Sequence, residues 1–458
     1  MIPDAPALAA DGESLDYREL ASRVATATGR LRALGVAAGD RVGLWAPNSV
    51  AWIVACLAVE RAGAVLVPLN TRLADPEIEW QLALARPRIA LASDDLAARA
   101  PAGTRWVGFD EWRRVVPGET GAAGESGDPS RDAAIVFTSG TTGRPKGAAI
   151  TRANRIASAR AAAAVLPLAP GDRWLASLPF FHVGGLGILE RCLGAGACIE
   201  LPASFSADDL VLAIERSPVT HLSVVDATLR RVLEGRGGRG LPAHVKAAVV
   251  GGGPVSAALV EACPQAIATY GLTESCAMVT LVRPDADREA RLTAGRALPG
   301  IDLRVAPDGV IEVRGPVVMR GYLGDEEATA AVLRDGWLRT GDLGEIDARG
   351  NLRVLARRDD LIVSGGENVY PAEIEQALLA HPGVTDALVV GVPDERWGEV
   401  PLALVVTRGN AEPDLLAFLG TRIARYKLPR IAFEREIPRL ANGKPDRAAV
   451  RARFRTPG

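Results

Sequence analysis

Residues 138–147 read TSGTTGRPKG and come directly after the apolar run AAIVF at residues 133–137. This pattern predicts a buried strand that leads into a phosphate-binding loop. The glycines let backbone N–H groups approach an anion closely, while hydroxyl side chains and Lys146 add donors and positive charge. The spacing is not that of a Walker loop, and a flexible surface turn is the alternative interpretation of these residues alone. The candidate phosphate ligands are Thr138, Ser139, Gly140, Thr141, Thr142, Gly143 and Lys146.

The composition is typical of a globular protein with more than one domain. At 458 residues the chain exceeds the size of one hydrophobic core, and 48% of its residues are hydrophobic and 24% charged. A formal net charge of −2 provides no general attraction to nucleic acid or to an anionic membrane. The N-terminus lacks the pattern of a signal peptide, and no apolar run has the length of a membrane span. We therefore expect a cytoplasmic protein that acts on small molecules, without nucleic acid or membrane partners; a homodimer is left open.

Helical and extended patterns alternate through about the first 300 residues, a pattern that predicts parallel sheets. Asp16 and Glu19 form a capping-box pattern at the start of one helix, and a second helix is expected to be capped by Asn48. Residues 300–355 change to short strands and turns, which predicts a small β-rich subdomain. The expected fold class is α/β. A large N-terminal domain (1–357) has several subdomains with parallel-rich sheets covered by helices, and a small mobile α+β C-terminal domain follows (358–458).

Five motifs, in order along the chain, resemble those of the adenylate-forming superfamily of AMP-binding enzymes, which includes the acyl-CoA synthetases. The phosphate loop is the first. The others are YGLTE at residues 270–274, TGD at 340–342, RRDDLIVSGGENVYPAEIE at 357–375 and NGK at 442–444. The resemblance covers essentially the whole chain. It implies an acid–thiol ligase that forms acyl-AMP and pyrophosphate from a carboxylic acid and ATP, and then a thioester with CoA. ATP, Mg²⁺ and CoA are the cofactors that it implies.

The resemblance also implies roles for residues around the nucleotide. Glu274 would bind Mg²⁺, a cation that prefers one or two carboxylates together with phosphate oxygens, and Thr273 would contact the α-phosphate. Asp342 and Arg357 would hold the ribose. A capping role for Glu274 is the alternative from the residues alone, and a plain tight turn is the alternative for the glycines. The residues expected to flank the adenine are Gly251, Gly252, Gly253, Tyr270 and Gly271.

In the C-terminal domain the resemblance implies that Lys444 stabilises charge on the α-phosphate during adenylation. Asp359 would be the hinge about which the domain turns, with its neighbour Asp360 as the other candidate. The turn at Gly365 and Gly366 would then line a thiol tunnel. The residues alone leave Lys444 as a solvated lysine and Asp359 as part of a solvated charge pair. For Trp397, stacking on the CoA adenine and ordinary packing remain equal alternatives.

The run FFHVGGLGIL at residues 180–189 resembles the acyl pocket of the family, with Phe181 and His182 as its aromatic gate. The glycines after His182 are expected to leave space for a ligand, although a histidine packed in the core is the alternative. The predicted substrate residues are Phe181, His182, Gly185, Arg191 and Ser275, and His182 is also a candidate catalytic residue.

Within the superfamily this run and the short chain look most like the 2-succinylbenzoate–CoA ligases of menaquinone biosynthesis. The sequence departs from their pattern at residues 225–227 (VDA) and at 277–278 (AM). Both departures fall beside the acyl pocket. A general aryl- or fatty-acid–CoA ligase, and an adenylating enzyme that loads a carrier protein or delivers to oxygen, therefore remain alternatives. Retention of Lys444, Glu274 and Asp342 together argues against a non-catalytic nucleotide-binding relative.

Overall fold

The fold is described from a computed structural model of the chain. It describes residues 3–10, 12–118, 128–138, 145–252, 255, 257–356, 362–369, 371–408, 413–438 and 447–454. These fall into two compact units. The first comprises residues 1–71, 82–137 and 147–356, and the second comprises 72–81, 138–146 and 357–458. The predicted domain boundary at 357/358 stays a prediction, because residues 357–361 lie outside the described ranges.

Helices and strands alternate through the first 200 residues, as the sequence predicts. They are β1 (Pro6–Ala10), β2 (Glu13–Asp16), α1 (Tyr17–Ala33), β3 (Arg41–Trp45), α2 (Val50–Arg61), β4 (Val65–Pro68), α3 (Asp75–Ala85), β5 (Ile89–Ala92), α4 (Asp94–Ala97), β6 (Trp106–Gly108), α5 (Phe109–Arg114), β7 (Asp132–Thr138), β8 (Lys146–Thr151), α6 (Arg152–Ala163), β9 (Arg173–Leu175), α7 (Val183–Ala195) and β10 (Cys198–Glu200).

The alternation continues to β13, after which strands dominate. These elements are α8 (Ala207–Arg216), β11 (His221–Val224), α9 (Asp226–Gly235), β12 (Ala247–Val250), α10 (Ala257–Ala262), β13 (Ala266–Tyr270), β14 (Thr280–Leu281), α11 (Arg288–Arg291), β15 (Arg296–Ala297), β16 (Asp302–Val305), β17 (Val310–Arg314), β18 (Gly321–Tyr322), α12 (Glu326–Val332), β19 (Leu333–Arg334), β20 (Trp337–Ile346) and β21 (Leu352–Ala356).

The C-terminal elements belong to the second compact unit. They are β22 (Ile362–Ser364), β23 (Glu367–Val369), α13 (Pro371–Leu379), β24 (Val384–Asp394), β25 (Gly398–Thr407), α14 (Leu415–Gly420), β26 (Arg430–Phe433) and α15 (Arg447–Phe454). Their strands form a mainly antiparallel sheet in the order β23-β22-β25-β24, on which β26 adds in parallel to β25. None of the described helices is both long and apolar enough to cross a lipid bilayer.

The first unit contains two large sheets with parallel pairing in their centres; both edges of one sheet are antiparallel, whereas the other is antiparallel at its β18 edge and parallel at its β6 edge. One has the order β15-β14-β13-β12-β11-β9-β10-β1-β2, with parallel pairing from β13 to β1. The other has the order β18-β8-β7-β4-β3-β5-β6. A smaller antiparallel sheet, β16-β17-β20-β19 with β21 on β20, forms the predicted β-rich subdomain. Residues on the central parallel strands are buried on both faces, and strands such as β4, β5 and β12 are entirely apolar.

The capping box at Asp16 and Glu19 starts α1 as predicted. The predicted cap at Asn48 is wrong, since Ser49 caps α2 by accepting the Trp52 N–H. The Asn48 side chain instead donates to the Leu178 carbonyl and accepts from the Phe180 N–H, both at 2.9 Å. Asn48 therefore fixes the turn before α7. This turn leads into Phe181 and His182, the predicted aromatic gate.

Candidate active site

Several predicted site residues lie outside the described part of the chain, and their roles stay predictions. They are Ser139, Gly140, Thr141, Thr142, Gly143, Gly253, Arg357, Asp359 and Lys444. The two ends of the predicted phosphate loop are described: Thr138 is the last residue of β7, and Lys146 is the first residue of β8. The strand predicted before the phosphate loop is thus present as β7, and a second strand, β8, which the sequence did not predict, begins at Lys146.

The Glu274 turn follows β13 directly. Gly271 has to be glycine, because a Cβ there would lie 1.4 Å from the Ala277 carbonyl oxygen. Thr273–Ser275 then form one turn of 3₁₀-helix. The fully buried Ser275 hydroxyl accepts from the Leu272 N–H and donates to the Leu272 carbonyl, both at 3.1 Å. Ser275 therefore closes the turn, and its predicted contact with substrate stays a prediction.

Two residues after this turn have left-handed backbone conformations although neither is glycine. Cys276 has φ of 54° and Ala277 has φ of 84°. Such conformations cost about 1–3 kcal/mol and persist where the surrounding structure holds them. Here the Ser158 hydroxyl holds the Cys276 carbonyl at 2.7 Å, and the Ala277 N–H donates to the Leu272 carbonyl at 3.1 Å. The segment after Glu274 is therefore a strained, tightly fixed turn.

Glu274 itself is only 3% exposed and is held at both its backbone and its side chain. The Met319 N–H donates to its carbonyl at 2.8 Å, and the Tyr322 hydroxyl donates to its Oε1 at 2.7 Å. The tyrosine hydroxyl thus fixes the orientation of this carboxyl group. Mg²⁺ is usually bound by one or two protein carboxylates together with phosphate oxygens, and Glu274 is suited to be such a carboxylate.

A second tyrosine–carboxylate pair joins two residues that were predicted to contact the nucleoside. The Tyr270 hydroxyl donates to Asp342 Oδ2 at 2.7 Å. The Asp342 N–H donates to the Thr340 hydroxyl, which donates in turn to the Ile311 carbonyl. Tyr270 at the end of β13 and Asp342 on β20 are therefore adjacent, which is the arrangement that ribose and adenine recognition by these two residues requires.

The glycines that were predicted to flank the adenine follow β12. The Gly251 N–H donates to the Val224 carbonyl at 3.0 Å, and Gly252 has φ of 80°, a conformation that favours glycine. Both lie at the C-terminal end of a central parallel strand, the usual location of ligand sites in such sheets.

Helix α7 carries the predicted acyl-pocket residues. His182 precedes its first turn and is half-buried, with its ring 4.6 Å from the buried Phe181 ring, edge to face. Gly185 does not leave space for a ligand: a Cβ there would lie 2.1 Å from the Pro179 carbonyl oxygen. This glycine is required for close packing of α7 on the preceding turn, and its predicted role in substrate binding stays a prediction.

Arg191 lies nine residues after His182 on the same helix and is 4% exposed. Its guanidinium carbon is 4.5 Å from the centroid of the Trp174 ring, and its Nη1 is 3.6 Å from Met278 Sδ. Within the described parts of the chain, its Nε has no hydrogen-bond partner. Burial lowers the pKa of Arg191 to about 10, so it remains a cation near neutral pH. A Cβ at Gly187 would lie 2.9 Å from Arg191 Nη1, so this glycine makes room for the guanidinium.

His221, which the sequence patterns did not single out, also contacts Trp174. Its ring stacks on the indole with centroids 5.1 Å apart, and its Nδ1 is 2.9 Å from the Thr220 hydroxyl. Burial lowers the pKa of His221 to about 4, so the ring is neutral at physiological pH. Among the described residues its Nε2 also has no hydrogen-bond partner. Arg191 and His221 therefore place two incompletely satisfied polar groups in an apolar region of the first unit.

In the second unit Gly365 and Gly366 form the turn between β22 and β23, with φ of 57° and 86°. A Cβ at Gly365 would lie 2.6 Å from Trp397 Cε3, and the Gly365 N–H donates to the Trp397 carbonyl at 2.9 Å. Trp397 therefore packs over this turn, and the side chain keeps 39% of its surface exposed. Packing and a ligand contact are thus compatible at this indole.

Two protein-family models match this chain. The AMP-binding enzyme model matches residues 2–323, and the AMP-binding enzyme C-terminal domain model matches residues 373–444. The chain belongs to the AMP-binding enzyme family. The family predicted from the five motifs is therefore confirmed, as is the predicted fold class.

Relatives within the family match over nearly the full length. A protein named 2-succinylbenzoate–CoA ligase from Bacillus cereus is 37% identical over 468 residues, covering 98% of this chain and 96% of that protein. A double mutant of o-succinylbenzoate CoA synthetase from Bacillus subtilis, bound with the product analogue OSB-NCoA, is similar with a TM-score of 0.93 and 33% identity, covering 98% and 96% of the two chains. The structure of o-succinylbenzoate CoA synthetase from Bacillus subtilis in complex with ATP and a magnesium ion is similar with a TM-score of 0.73 and 32% identity. The match covers 98% of this chain and 97% of that chain.

Proposed function

We propose that this protein is a 2-succinylbenzoate–CoA ligase. It activates a carboxylate with ATP to give acyl-AMP and pyrophosphate, and then transfers the acyl group to the thiol of CoA. The activity as an AMP-forming acid–CoA ligase is supported by relatives of that name that match the chain from end to end. Within the structure, the observation that carries the proposal is the pair of carboxylates, Glu274 and Asp342, each fixed by a tyrosine hydroxyl.

In the adenylation step the residues between β7 and β8 bind the triphosphate, and Thr273 contacts the α-phosphate. Glu274 would hold Mg²⁺, which would offset phosphate charge when bound. Asp342 accepts hydrogen bonds from the ribose, with Arg357 beside it, and Tyr270 with Gly251 and Gly252 borders the adenine. Fixed donors and charges around the phosphate stabilise the transition state because they need no reorganisation during the reaction.

The C-terminal residues are assigned by the family resemblance. Lys444 stabilises the charge that develops on the α-phosphate, and Asp359 is the hinge for the thioester step. Gly365, Gly366 and Trp397 contact CoA. Support for the last assignment is the exposed part of the Trp397 indole beside the glycine turn.

The choice of a dicarboxylic acid rests on Arg191. A buried carboxylate without a cation or donors carries a desolvation cost of several kcal/mol, and Arg191 supplies a buried guanidinium whose Nε has no partner among the described residues. His182, the residue before α7, is the other candidate for contact with a substrate carboxylate.

A general aryl- or fatty-acid–CoA ligase is the second candidate, because Met278 lies against Arg191 and gives this region an apolar wall. Acid-dependent pyrophosphate release, measured with a panel of aromatic dicarboxylic, aromatic monocarboxylic and fatty acids, tests both proposals. The first predicts the greatest release with 2-succinylbenzoate. Release that is greatest with benzoate or octanoate supports the second.

We further infer that the protein acts in the cytoplasm, where ATP and CoA are available, and that free CoA is its acceptor. A net charge of −2 supports the inference that nucleic acid is not a partner. A homodimer is also proposed, and sedimentation of the purified protein tests it.

A further inference from the structure

Tyr322 occupies a rigid position beside the Glu274 turn. It lies on the short edge strand β18, where Gly321 and Tyr322 pair with Ala149 and Ala148 of β8. The Arg320 N–H donates to the Ala149 carbonyl at 2.9 Å, and the Leu323 N–H donates to the Gly147 carbonyl at 2.7 Å. The backbone of Tyr322 is therefore anchored to the strand that follows the phosphate loop.

The helix that follows β18 holds the same residue from its other side. The Tyr322 N–H donates to the Thr329 hydroxyl at 2.8 Å, and this hydroxyl donates to the Asp325 carbonyl at 2.7 Å. Gly321 allows Thr329 to approach, because a Cβ at that position would lie 2.8 Å from Thr329 Cγ2. These backbone contacts do not depend on the phenol oxygen, so removal of that oxygen leaves them in place.

The phenol oxygen is the part of Tyr322 that reaches Glu274. The donor–acceptor distance of 2.7 Å is short, as expected for a hydroxyl that donates to a charged carboxylate. A glutamate side chain has several freely rotating bonds, and the orientation of its two oxygens decides where a cation can bind. Donors that orient a metal-binding carboxylate typically change metal affinity by about 10- to 100-fold.

We propose that Tyr322 is a positioning residue for the Mg²⁺–ATP complex: its hydroxyl holds the Glu274 carboxylate in the orientation that binds the metal. A carboxylate has about four lone-pair positions, so a hydrogen bond at one of them is compatible with cation binding at another. Because the same segment also holds the Glu274 backbone through Met319, both ends of this glutamate are fixed by residues 319–322. This inference rests on the proposed role of Glu274 in metal binding.

The test measures binding of Mn²⁺, as a paramagnetic substitute for Mg²⁺, by electron paramagnetic resonance of the full chain with a non-hydrolysable ATP analogue. Tyr322→Phe should weaken Mn²⁺ binding by about 10-fold or more, while metal-free AMP binding by calorimetry stays within about twofold of the wild type. Tyr17→Phe is the matched control, because the Tyr17 hydroxyl is also buried but donates to the backbone carbonyls of Cys192 and Ala197. It should leave Mn²⁺ binding unchanged.

Glu274→Gln separates this inference from the proposed function. If Tyr322 acts through Glu274, the double variant binds Mn²⁺ no more weakly than Glu274→Gln alone. Weakened binding in Glu274→Gln with normal binding in Tyr322→Phe would overturn the role of Tyr322 and leave that of Glu274 intact. Normal binding in both would overturn the metal role of Glu274 and the inference with it. Equal losses of Mn²⁺ and AMP binding in Tyr322→Phe would show a general structural role and would also overturn the inference.

Discussion

Replacement of Lys427 by methionine should destabilise the second compact unit strongly, because the single charge of Lys427 is shared by two buried glutamates. Its Nζ donates to Glu77 Oε1 and to Glu373 Oε1, both at 2.6 Å, and its side chain is only 4% exposed. Methionine has a similar length but no charge. Removal of one partner from a buried ion pair typically costs about 3–5 kcal/mol, since the remaining charge stays buried without compensation. We expect a loss of this size in the free energy of unfolding at about pH 8.

The loss should become smaller in acid. Burial, together with the neighbouring Glu77, raises the pKa of Glu373 from its ordinary value of 4.5 to about 7, although Lys427 opposes this shift. Between these two values the folded state holds a proton that the unfolded state has released, so this carboxyl contributes stability at low pH that is lost as the pH rises through 7. Without Lys427 the folded-state pKa should rise further. At about pH 5.5 the carboxyl of Glu373 is then neutral and the penalty of the variant is reduced.

Urea denaturation at the two pH values measures the free energy, and hydrogen exchange in α13 and β26 localises the loss. Arg453→Met is a matched control from the same unit. The Arg453 Nη1 lies 2.8 Å from Glu434 Oε1, but the arginine side chain is 58% exposed, so loss of this pair should cost less than about 1 kcal/mol. The reasoning is refuted if Lys427→Met costs no more than Arg453→Met, or if its cost is the same at both pH values.

Three further predictions concern catalysis. Lys444→Ala should lower the rate of acyl-AMP formation about 100-fold or more, while thioester formation from supplied acyl-AMP and CoA falls much less; equal losses in the two half-reactions would contradict its assignment. Asp359→Pro should block CoA transfer and spare pyrophosphate release, because proline fixes φ at the expected hinge; normal CoA transfer would place the hinge elsewhere. Arg191→Ala should raise the KM for 2-succinylbenzoate by about 10-fold or more, because one charged hydrogen-bonding partner of the substrate is lost. The KM for benzoate should change little, and Arg191→Lys should partly restore the KM for 2-succinylbenzoate. An equal rise for both acids would show that Arg191 serves the fold and not the second carboxylate.

The sequence predicted the elements that local patterns determine. The apolar run before residue 138, the capping box at Asp16 and the β-rich change after residue 300 all depend on neighbouring residues, and each is present in the structure. The site around Glu274 was predicted for the same reason, because its motif is a run of neighbouring residues. Asn48 was misplaced because Asn48 and Ser49 are both good helix caps, and the tertiary contact with the turn before α7 decided between them.

Contacts between distant parts of the chain could not be read from the sequence. Lys427 and Glu77 are 350 residues apart, and Tyr322 and Glu274 are 48 apart. The structural roles of Gly185 and Ser275 were also missed. The structure uses them for close packing and for closing a turn, and their predicted substrate contacts stay predictions. A motif thus located the site, but it did not say which of its residues face the ligand.

The central claim is that the protein forms a CoA thioester of an aromatic dicarboxylic acid through an acyl-adenylate. Direct competition among 2-succinylbenzoate, benzoate, octanoate and malonate in one reaction with ATP, Mg²⁺ and CoA, with the thioester products and AMP quantified by mass spectrometry, tests it most directly. The account predicts AMP release and the highest kcat/KM for 2-succinylbenzoate. A higher kcat/KM for any of the other three acids, or thioester formation without AMP, would contradict it.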